Sequence, residues 1–145
     1  MAITQSIPNS FKKQLLDGDH DFKSSGGDVF KLAMYTSTAT LTSATTSYTT
    51  DNEVSASGQY SAGGGTLVNN GTSVASGVAI VDYADLSFTG VTITARGALI
   101  YNTSSTATNA AVAVLDFGAD KTATDGTFTI QFPAFTTAAA ILRIS

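Results

Sequence analysis

Asp17-Gly18-Asp19-His20-Asp21 sets three carboxylates at alternate positions around the only histidine of the chain, and these are the residue types that could hold a cation. An EF-hand loop also needs glycine at its sixth place and a bidentate glutamate at its twelfth, where this sequence has Phe22 and Asp28. The spacing therefore predicts a solvated loop that ends a helix, with no metal. His20 could serve as a general base, but a base needs a nucleophile and an orienting group, and an acidic loop specifies neither. Gly63-Gly64-Gly65-Thr66 lacks the lysine of a phosphate-binding loop and opens no evident helix, so it reads as a flexible corner. No cofactor and no catalytic residue is expected.

Asp116 falls inside the apolar run Ala111 to Phe117, on the side of Val112 and Val114. A carboxylate there needs a cation or hydrogen-bond donors, and in so charge-poor a chain Arg96 and Arg143 are the natural candidates. A pair within one subunit is expected, with a pair across a subunit boundary as the sharper alternative. Asn70-Gly71-Thr72 and Asn102-Thr103-Ser104 match the glycosylation sequon but read as turn chemistry.

Composition narrows the function classes further. There is no cysteine, which removes thiol catalysis, thiolate metal sites and disulfides. Seven Lys and Arg against eleven Asp and Glu, for a net charge of -4, argue against nucleic acid, which requires a clustered basic face. No stretch approaches the ~20 apolar residues that cross a bilayer, and the start has no basic segment followed by an apolar one. A protein made in the cytoplasm, without a membrane partner, is expected. Charged residues make up only 12% of the chain and hydrophobic ones 43%, so the surface must be built largely from hydroxyls, which suits rigid β-proteins and subunit contacts.

The elements that carry these residues are mostly strands. Ile7, Phe11 and Leu15 recur at helical spacing, with Leu16 widening the stripe, Asn9 or Ser10 as cap and Gly18 as stop. Val29 to Tyr35 reads as a strand with Phe30, Leu32 and Met34 on one face and Lys31 on the other. Thr36 to Gly65 is a hydroxyl-rich excursion with one turn of helix near Thr50 to Val54. Asn70-Gly71 and Asp125-Gly126 are predicted turns, and Val78 to Tyr83, Leu86 to Phe88, Val91 to Ala95, Ala98 to Asn102, Ala111 to Phe117, Thr127 to Phe132 and Ala140 to Ile144 are predicted strands. The expectation is one all-β domain over residues 1–145, an antiparallel β-sandwich or jelly-roll-like barrel, with residues 1–28 as an N-terminal arm and short helix. Because Ala111 to Phe117 is apolar on both faces, something must cover the second face of its sheet, and another subunit is the predicted cover.

Ser10-Phe11-Lys12-Lys13-Gln14-Leu15-Leu16, Ala95-Arg96-Gly97-Ala98-Leu99-Ile100-Tyr101-Asn102, Ala111-Val112-Ala113-Val114-Leu115-Asp116-Phe117-Gly118 and Phe128-Thr129-Ile130-Gln131-Phe132-Pro133 resemble small virion proteins of tailed bacteriophages, in order along nearly the whole chain. The resemblance implies a structural role in the particle. The expected function is a capsid decoration or cement protein that binds the major capsid protein lattice as a dimer or trimer. The alternatives are a tail, neck or baseplate component and a host-glycan-binding module. The partner surface is expected at Ala2, Ile3, Ile7, Tyr48, Tyr60, Arg96 and Asp116.

Overall fold

The computed structural model describes residues 2–136 and 140–145. Among the described residues one helix and seven strands run in the order α1 (Asn9–Asp17), β1 (Phe30–Tyr35), β2 (Gly65–Thr66), β3 (Asn69–Ala75), β4 (Val78–Tyr83), β5 (Leu86–Asn102), β6 (Ala110–Ile130) and β7 (Leu142–Ile144). They form a four-stranded antiparallel sheet, β2-β1-β5-β6, and a three-stranded one, β3-β4-β7. The chain is thus all-β with one short helix, as its alternation predicts.

The two longest strands differ from the sequence expectation. The predicted fragments merge into β5 of 17 residues and β6 of 21, paired from Leu86↔Ile130 to Asn102↔Ala110. Gly90 and Asp125, at φ 63° and 46°, sit where the register slips and not in reversals of the chain. Residues that tolerate positive φ mark bulges as readily as turns, and bulges let so long a ribbon bend without ending. Asn70-Gly71 is likewise a bulge in β3, where the Gly71 N–H donates to Asn69 Oδ1 over 2.6 Å. The hairpin turn lies at Ser76-Gly77, with φ 52° and 78°, the pair of positive values a type I′ turn requires.

The helix begins at Asn9 behind Pro8 and has no side-chain cap, which corrects the expectation for Asn9 or Ser10. It stops at Gly18, whose left-handed φ of 79° lets the Gly18 and Asp19 N–H groups reach the carbonyls of Leu15 and Gln14. Phe11 is buried and Ile7 and Leu15 pack beside it, whereas Leu16 is 91% exposed, so the apolar stripe is narrower than predicted.

The central sheet is covered on both faces by this chain over β1 and over the paired ends Gly97–Asn102 and Ala110–Val114, whereas the rest of β5 alternates and residues 118–127 of β6 are mostly exposed. On one face Phe30, Leu32, Met34, Ile100 and Val112 join the main core; on the other Ala33, Tyr35, Leu99, Tyr101 and Val114 pack against Ile3, Ala39 and Leu41. The expectation of a second subunit as cover is corrected, because the N-terminal arm and the excursion do this work. Ile3 pairs in parallel with Leu41, Ser6 pairs with Val114, and Ser47 pairs with Ala110. Both N–H···O bonds of the Ser6–Val114 pair form, and Asn9 N–H reaches Ser43 O. Arm and excursion therefore also shield part of the β6 edge, which would otherwise invite a foreign strand. The excursion holds no helix; its 51–52 turn is fixed by Thr36 N–H on Asn52 O. Its Ala39, Leu41, Val54 and Tyr60 are buried, and that suffices to dock a hydroxyl-rich segment.

Candidate functional site

The densest polar cluster joins the loop after α1 to the end of β5. Asn102 is completely buried and uses every hydrogen-bonding position of its amide. One N–H donates to Asp28 Oδ2 over 2.7 Å and the other to His20 Nδ1 over 2.9 Å. Its oxygen accepts the backbone N–H groups of Ser104 and Ser105, which shapes the turn that leads to β6. With Nδ1 accepting, His20 carries its proton on Nε2 and donates it to Gln14 Oε1 at 2.9 Å. The imidazole also lies against Phe11, ring centroids 4.8 Å apart. Burial lowers its pKa below the usual histidine value, opposed by the charges of Asp28 and Asp19. Both ring nitrogens are committed, so the imidazole has no lone pair free to take a substrate proton. The amide of the Asn102 sequon is likewise enclosed.

A second cluster gathers four of the five tyrosines around Glu53, the only glutamate in the chain. Glu53 Oε2 accepts the Tyr48 hydroxyl, and Oε1 accepts the Tyr60 hydroxyl and the Gly63 N–H, each at 2.7 Å. Tyr60 in turn accepts the Met34 N–H at 2.8 Å, so one phenol links the excursion to β1. Tyr101 donates to Gly63 O over 2.6 Å and stacks on Tyr48 at 4.7 Å. Tyr35 donates to Thr49 O over 2.7 Å. Burial pushes the Tyr101 phenol up to about 12, with the Glu53 charge adding to it, and raises Tyr35, Tyr48 and Tyr60 further, so all four stay neutral donors. The arrangement holds the 46–64 segment against the sheet.

Arg96 and Asp116 meet within the chain, Nε to Oδ1 over 3.2 Å, beside the Gly97↔Asp116 register pair. Asp116 is only partly buried, contrary to the expectation that its strand position would enclose it. Its carboxyl is held below the usual range first by the Gly118 N–H and then by Arg96. Its backbone N–H donates to Gln5 Oε1, which fastens the arm once more.

The acidic loop disperses its carboxylates. Asp17 pairs with Lys13, Asp21 pairs with Lys23 at 3.1 Å, and Asp19 accepts Thr106 Oγ1. Among the described residues no group of three or more His, Asp or Glu side chains is placed to hold a metal ion.

Of the seven residues expected at a partner surface, Ile3 and Tyr60 are buried in the fold, Tyr48 is engaged with Glu53 and Tyr101, and Arg96 and Asp116 pair with one another. Ala2 is exposed and Ile7 packs partly against the core. Glu53 escaped the sequence reading, whereas Asn102 entered it as turn chemistry, which its bonds to Ser104 and Ser105 bear out, and Asp28 entered it only in place of the EF-hand glutamate. The signal available for Glu53 was a lone glutamate between two tyrosines in a hydroxyl-rich segment. For Asn102 it was a strand-end asparagine after an apolar run. Among the described residues no helix is long and apolar enough to cross a membrane. No family model, no curated protein and no solved structure matches the chain.

Proposed function

We propose that this chain is a non-enzymatic structural protein of a tailed-phage virion, a decoration or cement protein that binds and stabilises the major capsid protein lattice. The observation that carries the reading is the commitment of its polar side chains. His20, Asn102, Asp28 and Glu53 are bound to one another, to Gln14, to tyrosines or to backbone, and they clamp loops onto the sheet. Groups saturated in this way rigidify a scaffold, and none of these four is poised toward a substrate. The sequence resemblance supplies the virion setting, with synthesis in the host cytoplasm.

A rigid, charge-poor domain suits repeated modest contacts. Each copy adds a small interface, and linkage through a dimer or trimer multiplies the effect, so weak contacts brace a shell collectively. Tyr48 and Tyr60, the aromatic platform a glycan-binding reading would need, face inward to Glu53, which counts against that reading. Quantitative mass spectrometry of purified particles tests the proposal. On the order of hundreds of copies per particle are expected from lattice avidity. Tens or fewer would move the protein to tail, neck or baseplate, and absence from the particle would overturn the virion reading.

A further inference from the structure

The hydrogen bonds around Asn102 fix which way its amide points. Backbone N–H groups can only donate, so the atom that faces Ser104 and Ser105, at 2.7 and 3.1 Å, is the oxygen. The nitrogen then faces Asp28 Oδ2 at 2.7 Å and His20 Nδ1 at 2.9 Å, and Nδ1 must be bare of hydrogen to accept. A proton that arrives on the ring can add only there, because Nε2 already carries one for Gln14 Oε1. Two donors would then meet across 2.9 Å. Rotating the Asn102 amide does not resolve the conflict, since it would set the NH2 against two backbone N–H groups and the oxygen against the Asp28 carboxylate. One mismatch would become three.

We infer that His20 is a proton-operated latch: a proton on Nδ1 drives the imidazole out of its seat between Asn102 and Phe11 and frees the 18–20 segment that ends the helix. Burial disfavours the charged ring in that seat, opposed by Asp28, from the loop before β1, and Asp19, from the ring's own loop. The other groups that face it carry no charge. α1 presents Gln14 and Phe11, with ring centroids 4.8 Å apart, β5 presents Asn102, and Phe22 lies 6.2 Å away. The seat thus satisfies the neutral ring at both nitrogens, whereas an imidazolium finds a partner for its new N–H only by moving to a carboxylate or to water. The rest of the loop stays, because Phe22 stacks on Phe30 at 4.7 Å and Asp28 N–H donates to Asp21 O at 2.8 Å. Departure of the ring uncovers the otherwise buried Phe11 and Phe22, and the 3.3 Å bond from Thr106 to Asp19 goes with it. The latch stands on this geometry alone and operates on or off a particle.

Imidazole and side-chain amide NMR spectra of the intact protein, titrated across the histidine range, test it. At neutral pH the ring should be the Nε2–H tautomer with proton–proton contacts to Phe11. As the pH falls those contacts should vanish and the Asn102 NH2 signals should shift with one common midpoint below the ordinary histidine value, while the Ser104 and Ser105 amides keep their protection. Between the pKa values of the open and closed latch, the opening equilibrium read by hydrogen exchange at the Asp19 amide should rise about tenfold for each pH unit lost. Asp28→Asn keeps an acceptor for Asn102 but removes a charge that favours the imidazolium, so it should lower the midpoint further. Asn102→Asp gives the protonated Nδ1 an acceptor and should raise the midpoint; thermal melts show whether each variant is folded, and Asp28→Asn alone suffices if Asn102→Asp is not. An Nδ1–H tautomer at neutral pH, contacts with Phe11 retained below the midpoint, or a midpoint unmoved by Asp28→Asn overturns the inference. So does loss of protection at Ser104 and Ser105 at that midpoint, which would mean that the amide rotates and the ring stays.

Discussion

At the residue scale, two side chains carry more of the fold than their neighbours. Asn102 satisfies His20 and Asp28 at once, so Asn102→Ala leaves an imidazole acceptor and a carboxylate short of donors in a part-buried site. At roughly 1–3 kcal/mol for each buried group left unpaired, a loss of about 3 kcal/mol is expected in urea unfolding. Glu53→Ala strands two phenols and a backbone N–H. It should cost about 2–4 kcal/mol on the same grounds and speed hydrogen exchange across 46–64 before it affects β5. His20 adds a pH dependence. Its folded pKa lies below the unfolded value near 6.5, so the unfolded chain binds the extra proton in that window. Stability is then full above the unfolded pKa and falls as pH drops through it, levelling below the folded value. Asp116 and Asp21, whose carboxyls are lowered, lose their contribution only below the ordinary carboxylate range. Urea titrations at several pH values should show the histidine step in the wild type and its absence in His20→Asn.

At the element scale, the ribbon of β5 and β6 needs close contact with the arm. An added methyl at Gly97 would meet Leu115 O at 2.4 Å and Ile3 Cγ2 at 2.9 Å. Gly97→Ala should therefore destabilise strongly, and pairing it with Ile3→Ala should not restore stability, because the Leu115 carbonyl cannot withdraw as a side chain can. Full recovery in the double variant, measured by thermal melts, would contradict the register described. The legibility of the elements follows from how local their causes are. α1 was readable because Ile7, Phe11, Leu15 and Gly18 lie within one short window. The strands were readable in type but not in extent, since Gly90, Gly71 and Asp125 look alike in sequence whether they turn the chain or bulge it. Choosing Ser76-Gly77 over Asn70-Gly71 as the turn required knowing which apolar residues of β4 face inward. The cover over Val114 and Tyr35 was illegible because it rests on Ile3 meeting Leu41, a pairing set by tertiary packing and not by either segment's pattern.

At the scale of the whole molecule, a sheet whose doubly apolar stretch, Gly97–Asn102 against Ala110–Val114, is closed on both faces by one chain has no need of a partner to fold. Any dimer or trimer then forms from folded monomers, and under the proposed function it would form on the particle. The melting temperature of the isolated protein should not change with concentration, whereas an obligate oligomer would gain stability by mass action. The clamps read as devices that keep arm, excursion and ribbon in one rigid body, which fits a scaffold that presents an outer surface. The most direct measurement is hydrogen exchange on the dilute protein. The account predicts that the amides of Thr4, Ser6, Leu41 and Val114, each bonded between arm, excursion and sheet, exchange as slowly as those of β1 and the central part of β5. Rapid exchange at Thr4, Ser6 and Leu41, with β5 still protected, would mean that the arm does not cover the sheet in solution and would contradict the account.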